Sequence, residues 1–333
     1  MNTGLEMGAK SAIGTMRLHL WCQSQQINLE PLCKRKSPKK IGPPTRLIEI
    51  FIAIDDFTNL FQQWLATRSL APARQPTRQT ELATSEILTI LVYYHHSGYK
   101  NFQYYFQRLV EPLMKTYFPR LISYQRFIDL IPRQIPLLHV VGKCLCLLNK
   151  CTGCYFADSK KLPVCDNRRI HSHQVFANIA SRGKSSTGWF YGLKLHLIIN
   201  ELGQVMTYLI TPASVSDNNQ TVLRRLVKGL KGKCYAEKGY LSKLFEEFYQ
   251  QGLHLVTKIR KNMTNVLMDL DDKVRLKKRG LIESVNDILM SVLDIDHRRH
   301  RSPANALVHI MAGLVAYHFY DGKPSVFIKP VKF

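Results

Sequence analysis

An alternating run of side chains, from Trp189 to Ile199, restricts the possible folds of this chain more than any other feature. Apolar residues occupy every second position of the run, and Lys194 and His196 lie between them. A period of two predicts a β-strand with one strongly apolar face. Turn-forming residues at 200–203 lead into a second apolar run at 204–210, so the sequence predicts a β-hairpin.

Two further apolar runs end in a carboxylate. Residues 155–157 lead into Asp158, and residues 233–236 lead into Glu237. Each pattern predicts a buried strand whose acid emerges at an edge of the sheet, where a carboxylate can hold a metal ion. The alternative for each is an ordinary strand that ends in a turn acid.

The order of the predicted elements indicates the fold class. Helical patterns at 222–230 and 239–251 separate the strands, and a last strand is predicted at 253–257. Strand, hairpin, helix, strand, helix and strand predict a sheet with helices returning over it. This order is similar to the ribonuclease H-like fold, an α/β fold with a mixed sheet and helices on both faces. There the first and fourth strands end side by side, so we expect Asp158 and Glu237 to be neighbours.

Helical patterns dominate the chain before the predicted sheet. From Arg46 to Leu65 the apolar residues recur at helical spacing, which predicts a helix, or a helix pair broken near Asp55 and Asp56. Further helices are predicted after Thr84, at 101–109, after Ser123 and at 135–148. Short helices joined by tight turns on a basic chain suit a helix-turn-helix unit that binds DNA. A helical bundle without a DNA role is the alternative.

These patterns divide the chain into four segments. We expect a disordered or atypical basic extension at 1–45, an all-helical, helix-turn-helix DNA-binding domain at 46–150, a ribonuclease H-like domain at 151–320 and a C-terminal tail at 321–333. The extension contains a lysine- and arginine-rich cluster at 34–40 and shows no sustained hydrophobic period.

The net charge indicates a polyanionic partner. The chain carries 47 Lys and Arg against 24 Asp and Glu, a formal charge of +23. This exceeds what solubility requires and favours DNA or RNA, with an anionic membrane surface as the second choice. The longest apolar run, 310–317, is too short to span a bilayer, and the first 45 residues lack the features of a signal peptide. We therefore expect a cytoplasmic, nucleoid-associated protein without membrane contact.

The cysteines allow a competing interpretation. Cys151 and Cys154 have the spacing of a zinc knuckle, with Cys144 and Cys146 nearby. The latter two lie in an apolar run, where a free cysteine behaves as a small hydrophobe. We expect reduced, mostly buried thiols.

A third acid is expected from a later element, because a two-metal phosphoryl-transfer site requires several oxygen ligands. Residues 277–287 predict a helix whose Leu281, Ile282 and Val285 face the core. Glu283 lies beside that face, with Arg279 about one turn before it. A solvated helix acid is the alternative for Glu283 taken alone.

Four longer strings carry a family resemblance. They are RGKSSTGWFYGLKLH at 182–196, EKGY at 237–240, TKIRKNM at 257–263 and HRRHRSP at 297–303. Together they closely resemble motifs of the DDE transposases of prokaryotic insertion sequences, nearest to the insertion sequence 982 family. The resemblance extends over roughly residues 47–317.

The resemblance implies an activity, a site and partners. It implies a ribonuclease H-like DDE domain with Asp158, Glu237 and Glu283 as catalytic and metal-binding residues. It also implies two Mg²⁺ ions, for which Mn²⁺ can substitute, cleavage of DNA at insertion-sequence ends and joining of the freed 3′-hydroxyl to target DNA. Transposon-end DNA and target DNA are the implied partners, and pairing two ends favours a homodimer on DNA.

Basic residues within or next to these strings are candidates for contacts with DNA phosphates. They are Arg182, Lys184, Lys194, His196, Lys258, Arg260, Arg298, Arg299 and Arg301. A solvated charged face is the alternative for any one of them.

The chain departs from the family at its second acid. The family has aspartate there, whereas this chain has Glu237 within Ala236-Glu237-Lys238-Gly239-Tyr240. One extra methylene displaces the carboxylate by roughly 1.5 Å, and a displacement of about 1 Å can cost a hundredfold in rate. The alternative function is therefore a catalytically impaired transposase that binds DNA only, and a nuclease without strand transfer is a third. Asp217 is a possible substitute ligand, although its position after a Pro-Ala-Ser loop favours a helix cap.

Overall fold

The structure is a computed structural model that describes residues 43–67, 81–185, 188–237, 244–257, 268–296 and 300–326. The chain divides into two compact units, with the boundary between Leu148 and Asn149. The predicted extension at 1–45 lies almost entirely outside the described residues.

Helices form the described part of the first unit. They are α1 (Pro43–Ala66), α2 (Thr84–Tyr94), α3 (Phe102–Tyr105), α4 (Glu111–Leu113), α5 (Tyr124–Leu130) and α6 (Ile135–Leu148). A π-helical turn, Phe106–Val110, joins α3 to α4, and a 3₁₀ turn, Ile131–Gln134, joins α5 to α6. The predicted start of α5 is confirmed, because the Ser123 side chain accepts a hydrogen bond from the backbone N–H of Arg126.

Helix α1 corrects one alternative from the sequence. A helix pair broken near Asp55 and Asp56 is wrong, because the helix is continuous from Pro43 to Ala66. Asp55 accepts from the Asn59 side chain one turn later, and its backbone carbonyl accepts from Thr58. The two acids therefore lie on a continuous helix and do not interrupt it.

Aromatic side chains fill the core of the first unit. Tyr105, Phe106 and Phe127 are fully buried, and the rings of Phe106 and Phe127 lie 5.0 Å apart. The Tyr105 hydroxyl donates to the carbonyl of Ile90 at 3.0 Å, which satisfies the polar end of a buried ring. The continuous helical stretch Tyr124–Leu148 is long and apolar enough to cross a membrane by length and composition alone, a test that core helices of soluble proteins also pass.

The second unit is a mixed α/β structure with a curled sheet. Its strands are β1 (Cys154–Cys165), β2 (Ser181–Ser185), β3 (Gly188–Asn200), β4 (Val205–Pro212), β5 (Gly232–Ala236) and β6 (Leu253–Thr257). The strand order is β2-β3-β1-β5-β6, and β4 pairs with residues 193–199 of β3, beyond the part that pairs with β2. Strands β1, β5 and β6 are parallel, whereas β2, β3 and β4 form antiparallel pairs. The predicted hairpin is β3 and β4.

Helices accompany this sheet along the chain. They are α7 (Gln220–Val227), α8 (Phe245–Gln250), α9 (Leu270–Lys278), α10 (Leu281–Asp287) and α11 (Pro303–His318), with a 3₁₀ turn at Asn167–Ser172 and a π-helical turn at Ile288–Val292. One core cluster joins Tyr155 and Ala157 of β1 to Leu223 of α7 and Phe248 of α8. Because side chains alternate along a strand, Phe156 and Asp158 point to the opposite face of the sheet.

Strand β1 is longer than the sequence indicates. The interpretation of Asp158 as a strand-ending acid is wrong, because β1 continues to Cys165 and Asp158 pairs with Leu197. The parallel pairing with β5 does stop at Ala157. Asp158 therefore follows the last residue of β1 that pairs with β5, but it lies within the antiparallel pairing of β1 with β3.

Four of the six described cysteines are buried, and none of those six is in a disulfide.

Candidate active site

Asp158 and Glu237 follow adjacent positions of the sheet. Ala157 of β1 pairs with Ala236 of β5. Asp158 is the residue after Ala157, and Glu237 is the residue after Ala236. The parallel register thus places both carboxylates at the same level. Asp158 is largely buried, whereas the side chain of Glu237 is 57% exposed.

The guanidinium of Arg279 lies between three carboxylates. Its Nη2 is 2.7 Å from Glu237 Oε1 and 3.2 Å from Glu283 Oε1, and its Nη1 is 4.0 Å from Asp158 Oδ1. The Arg279 side chain is only 12% exposed. Arg279 precedes α10 and Glu283 lies one turn later, a spacing that lets the two side chains meet. The three acids singled out from the sequence therefore converge on one cation.

Asn286 supports Asp158 from the next turn of α10. Its Nδ2 donates to Asp158 Oδ2 at 3.1 Å, and Asn286 is fully buried together with Ile282 and Val285 of the same helix. The packing of these apolar residues fixes α10, so the amide is presented to the carboxylate in one orientation. Among the described residues, Asn286 Oδ1 is buried without a hydrogen-bond partner.

The surroundings of Asp158 make its carboxylate a weaker acid than usual. Burial raises the pKa of Asp158 to about 6, and the neighbouring charges of Glu237 and Asp217 act in the same direction. A hydrogen bond with the backbone of Ser159 and the charge of Arg279 oppose this effect. A buried carboxylate that still carries a charge needs a cation close by.

The donor atoms of the site fit divalent cations in type. Asp158, Glu237 and Glu283 supply carboxylate oxygens, and Asn286 supplies a buried amide oxygen without a partner in the described part of the chain. Magnesium prefers such hard oxygen ligands. In the geometry observed, the carboxylates gather on Arg279, and no group of three or more described acids, histidines or cysteines is arranged to hold a metal ion.

Lys194 and His196 form a buried network on β3 that shares Asp217 with the surroundings of Asp158. Lys194 Nζ donates to Asp217 Oδ1 at 3.2 Å and to the carbonyl of Val215 at 2.9 Å. His196 Nε2 lies 3.0 Å from Thr211 Oγ1, and its Nδ1 lies 3.9 Å from Asp217. Burial lowers the pKa of His196 to about 4, so the ring is neutral at pH 7. The burial of Lys194 and His196 disfavours their predicted contact with phosphate, which stays a prediction.

Asp217 is not a helix cap, which corrects the simpler interpretation of its position. The cap of α7 is Asn219, whose side chain accepts from the backbone N–H of Val222 at 3.1 Å. Asp217 lies two residues earlier and pairs with Lys194 instead. The sequence pattern of short polar residues before α7 marks the helix start correctly, but several of those residues can cap it.

The remaining basic candidates fall into two groups. Arg182, Lys184 and Arg301 are exposed on the surface. Lys258, Arg260, Arg298 and Arg299 lie outside the described residues. The assignment of all these residues to DNA contacts stays a prediction, as does the catalytic role of the three acids.

Arg279 and Asn286 are the site residues that the sequence interpretation left without a role. Their spacing contains the signal, since positions 279, 283 and 286 recur every three to four residues, as positions on one face of a helix do. A basic residue and an amide at this spacing from Glu283 indicate side chains that can contact the acids of the site. The strand that these residues face could not be identified from spacing alone.

Comparison with known proteins gives one match. Residues 148–303 match a family model described as a transposase DDE domain. Neither curated proteins nor solved structures gave a match. The matched range contains β1 through α10 and hence Asp158, Glu237, Arg279 and Glu283. The match supports the presence of a transposase DDE domain in this chain. Enzymes with such domains are metal-dependent and act on DNA. The mixed α/β structure of the second unit is compatible with such a domain.

Proposed function

We propose that this protein is a transposase of the insertion sequence 982 type, which cleaves DNA at insertion-sequence ends and joins the 3′-hydroxyl to target DNA. The observation that carries the proposal is the convergence of Asp158, Glu237 and Glu283 on Arg279 within the range that matches a transposase DDE domain. A structural ion-pair cluster would not require three acids from three separate parts of the chain around one guanidinium.

We assign the three acids as ligands of two Mg²⁺ ions. Asp158 would serve both ions, while Glu237 and Glu283 would each serve one. When bound, such ions activate the attacking oxygen and stabilise the leaving oxygen of phosphoryl transfer. Asn286 orients the Asp158 carboxylate through the 3.1 Å hydrogen bond and restricts its rotation. Arg279 offsets the mutual repulsion of the three acids.

Further parts of the proposal concern the rest of the chain. The net charge of +23 supports binding to transposon-end and target DNA, with Arg182, Lys184 and Arg301 as exposed candidates for phosphate contacts. We assign end recognition to the helical segment at 46–150 and the ribonuclease H-like fold to 151–320. We place the protein in the cytoplasm at the nucleoid, and synapsis of two ends favours a homodimer on DNA.

A catalytically impaired transposase is the second candidate. The glutamate at position 237 favours it, because the longer side chain places its carboxylate on Arg279 at 2.7 Å and leaves it 57% exposed. An aspartate on the same backbone would hold its carboxylate one methylene closer to the main chain. A protein of this kind would bind insertion-sequence ends without cutting them.

One assay separates these functions. Linear DNA that carries the sequences flanking the gene is incubated with the full chain, Mg²⁺ and a supercoiled target plasmid. An active transposase gives 3′-hydroxyl ends and joined products, both of which disappear in Asp158→Asn. Cut ends without joined products would indicate a nuclease, and shifted but uncut DNA would indicate the impaired form. DNA that is neither shifted nor cut contradicts both.

A further inference from the structure

The paired strands β2 and β3 present two unlike faces. Lys184 pairs with Trp189 across the strands, and Gly183 pairs with Phe190. Directly opposed residues share a face of a sheet, so these two pairs point in opposite directions. Gly183 and Phe190 are buried, with Gly183 packed closely on the backbone of Ala213. The other face turns outward.

The outward face combines cations with a large exposed ring. Trp189 is 63% exposed, and Lys184 Nζ lies 5.8 Å from the centre of its ring. Arg182 lies two residues before Lys184 on the same face and is also exposed. A cation at this distance from an indole is attracted by its π-electrons, which restricts how the ring and the amine move relative to each other.

A neighbouring 3₁₀ turn extends this surface. Asn167 Nδ2 donates to the backbone carbonyl of Trp189 at 2.8 Å, which ties the turn to the strand. The turn carries Arg168 and Arg169, both exposed. His171 Nε2 lies 3.4 Å from Arg182 Nη2, so the turn also reaches the middle of β2.

We call these residues the tryptophan surface: Arg168, Arg169, Arg182, Lys184 and Trp189. Residues 166–189 contain four Lys or Arg and one acid, Asp166, so the surface is basic. A large apolar ring held outward among cations leaves apolar area in water. Burial of Trp189 against a partner would recover that area, and the charges around the ring select an anionic partner.

We propose that the tryptophan surface binds DNA with unpaired bases, by stacking Trp189 on a base while the surrounding cations contact the phosphates. This inference rests on the proposed function, since DNA is the polyanion assumed there. Stacking on aromatic side chains beside a basic groove is how proteins hold single strands without reading their sequence. In a duplex the base faces are already covered, so Trp189 contributes only where strands are open.

The test compares single-stranded and duplex DNA on the full-length protein. The probes are a fluorescein-labelled oligothymidylate of about 15 nucleotides and a duplex of the same length, within the site sizes that such surfaces occupy. Trp189→Ala removes the ring, and Trp189→Phe keeps a smaller ring that can still stack. The matched control is Tyr249→Ala, which removes an aromatic residue of α8 that is 69% exposed but lies outside the tryptophan surface.

The proposal expects Trp189→Ala to weaken single-strand binding about tenfold or more and duplex binding less than about twofold. Trp189→Phe should retain most of the affinity, and Tyr249→Ala all of it. Equal loss on single strand and duplex, or no loss on the single strand, would overturn the proposal. These outcomes do not depend on cleavage, so an inactive protein can still pass the test, and an active one can fail it.

Intrinsic tryptophan fluorescence provides a second readout. It compares the wild type with Trp189→Phe, so it remains available if Trp189→Ala does not fold. Stacking on a base quenches indole emission, so saturating oligothymidylate should quench the wild type more than Trp189→Phe. The difference isolates Trp189 from the other two tryptophans of the chain, Trp21 and Trp64. Identical quenching in both proteins would show that no base reaches Trp189 and would overturn the proposal.

Discussion

Arg279 Nη2 lies 2.7 Å from Glu237 Oε1, although the two residues are 42 positions apart in the sequence. The same nitrogen also contacts Glu283, and the guanidinium is almost enclosed by the surrounding protein. One cation thus offsets part of the repulsion among acids that the sheet and α10 bring together. This relationship makes the cluster sensitive to the loss of a single positive charge.

Arg279→Gln should lower the free energy of unfolding by about 1–3 kcal/mol, because it leaves the largely buried Asp158 beside two further acids without their cation. Urea denaturation without added metal measures this change. The matched control is Arg224→Gln, which removes a bidentate pair with Glu247; the Arg224 side chain is 48% exposed, against 12% for that of Arg279. The control should have little effect, because solvent screens an exposed pair. Equal changes in both variants would mean that Arg279 does not stabilise the cluster.

Asn286→Asp should destabilise the protein by about 1–3 kcal/mol at pH 8, because it replaces the donor to Asp158 by a second carboxylate. Thermal or urea unfolding provides the measurement. Asn218→Asp introduces the same charge at an exposed site and serves as the control, since that side chain already accepts a hydrogen bond from Ser216. If the two variants were equally stable, Asn286 would not be a required donor.

On the impaired-site hypothesis, Glu237→Asp should raise the rate of cleavage in the assay above by about tenfold or more, because about 1 Å of misplacement can cost a hundredfold in rate. The control is Glu283→Asp, which shortens a glutamate by the same one methylene at the third acid. It should lower the cleavage rate, because glutamate is the expected residue at that position. Quantified 3′-hydroxyl ends from the cleavage assay give both values. A rate that is unchanged or reduced in Glu237→Asp would refute the impaired-site hypothesis.

Acidification should destabilise the protein through its buried histidines. The pKa of His196 is lowered to about 4 by burial, against an ordinary value of 6.5, with Lys194 lowering and Asp217 raising it. As the pH falls from 6.5 towards 4, the unfolded chain takes up a proton that the folded chain does not, so stability decreases. His139 and His318 have lowered pKa values for the same reason and act in the same direction.

His196→Gln should therefore make the loss of stability between pH 6.5 and 4 shallower, by on the order of 2–3 kcal/mol over the range. Urea unfolding at several pH values gives the slope directly. An equally steep slope in the variant would contradict a neutral, buried His196.

Gly183→Ala should be strongly destabilising, because a Cβ at this position would collide with the backbone carbonyl of Ala213. The collision is with backbone and can be relieved only by moving a strand. Gly280→Ala is the matched control, since a Cβ there meets nothing within 4 Å. We expect the control to be neutral or slightly stabilising, because alanine restricts the unfolded chain. Similar melting temperatures for both variants would contradict the close packing of Gly183.

The sequence predicts the elements with clear periodicity well. The alternation from Trp189 to Ile199 appears as β3, and the predicted helix at 135–148 appears as α6. Strand β2 was missed because its residues, 181–185, are small or charged and lack an apolar pattern. The extension of β1 was missed because lysines and a proline follow Asp158, which are typical of a strand end.

The contacts of the site were less predictable than its acids. The carboxylates could be singled out because each stands in a distinctive string, but the partners of Arg279 and Asn286 depend on which strand α10 packs against. That packing is a tertiary property without a local signal. Asp217 illustrates the same limit, because its neighbour Lys194 lies on a different element.

The length of β1 has a consequence for how the site tolerates sequence drift. Asp158 lies within a 12-residue strand and is followed by further pairs with β3, so its backbone cannot shift to accommodate a longer side chain. Glu237 directly follows the last residue of β5 and lacks this restraint. Strand pairing thus restrains the backbone at position 158 more than at position 237. The second acid position of this site is therefore structurally freer to vary in side-chain length than the first.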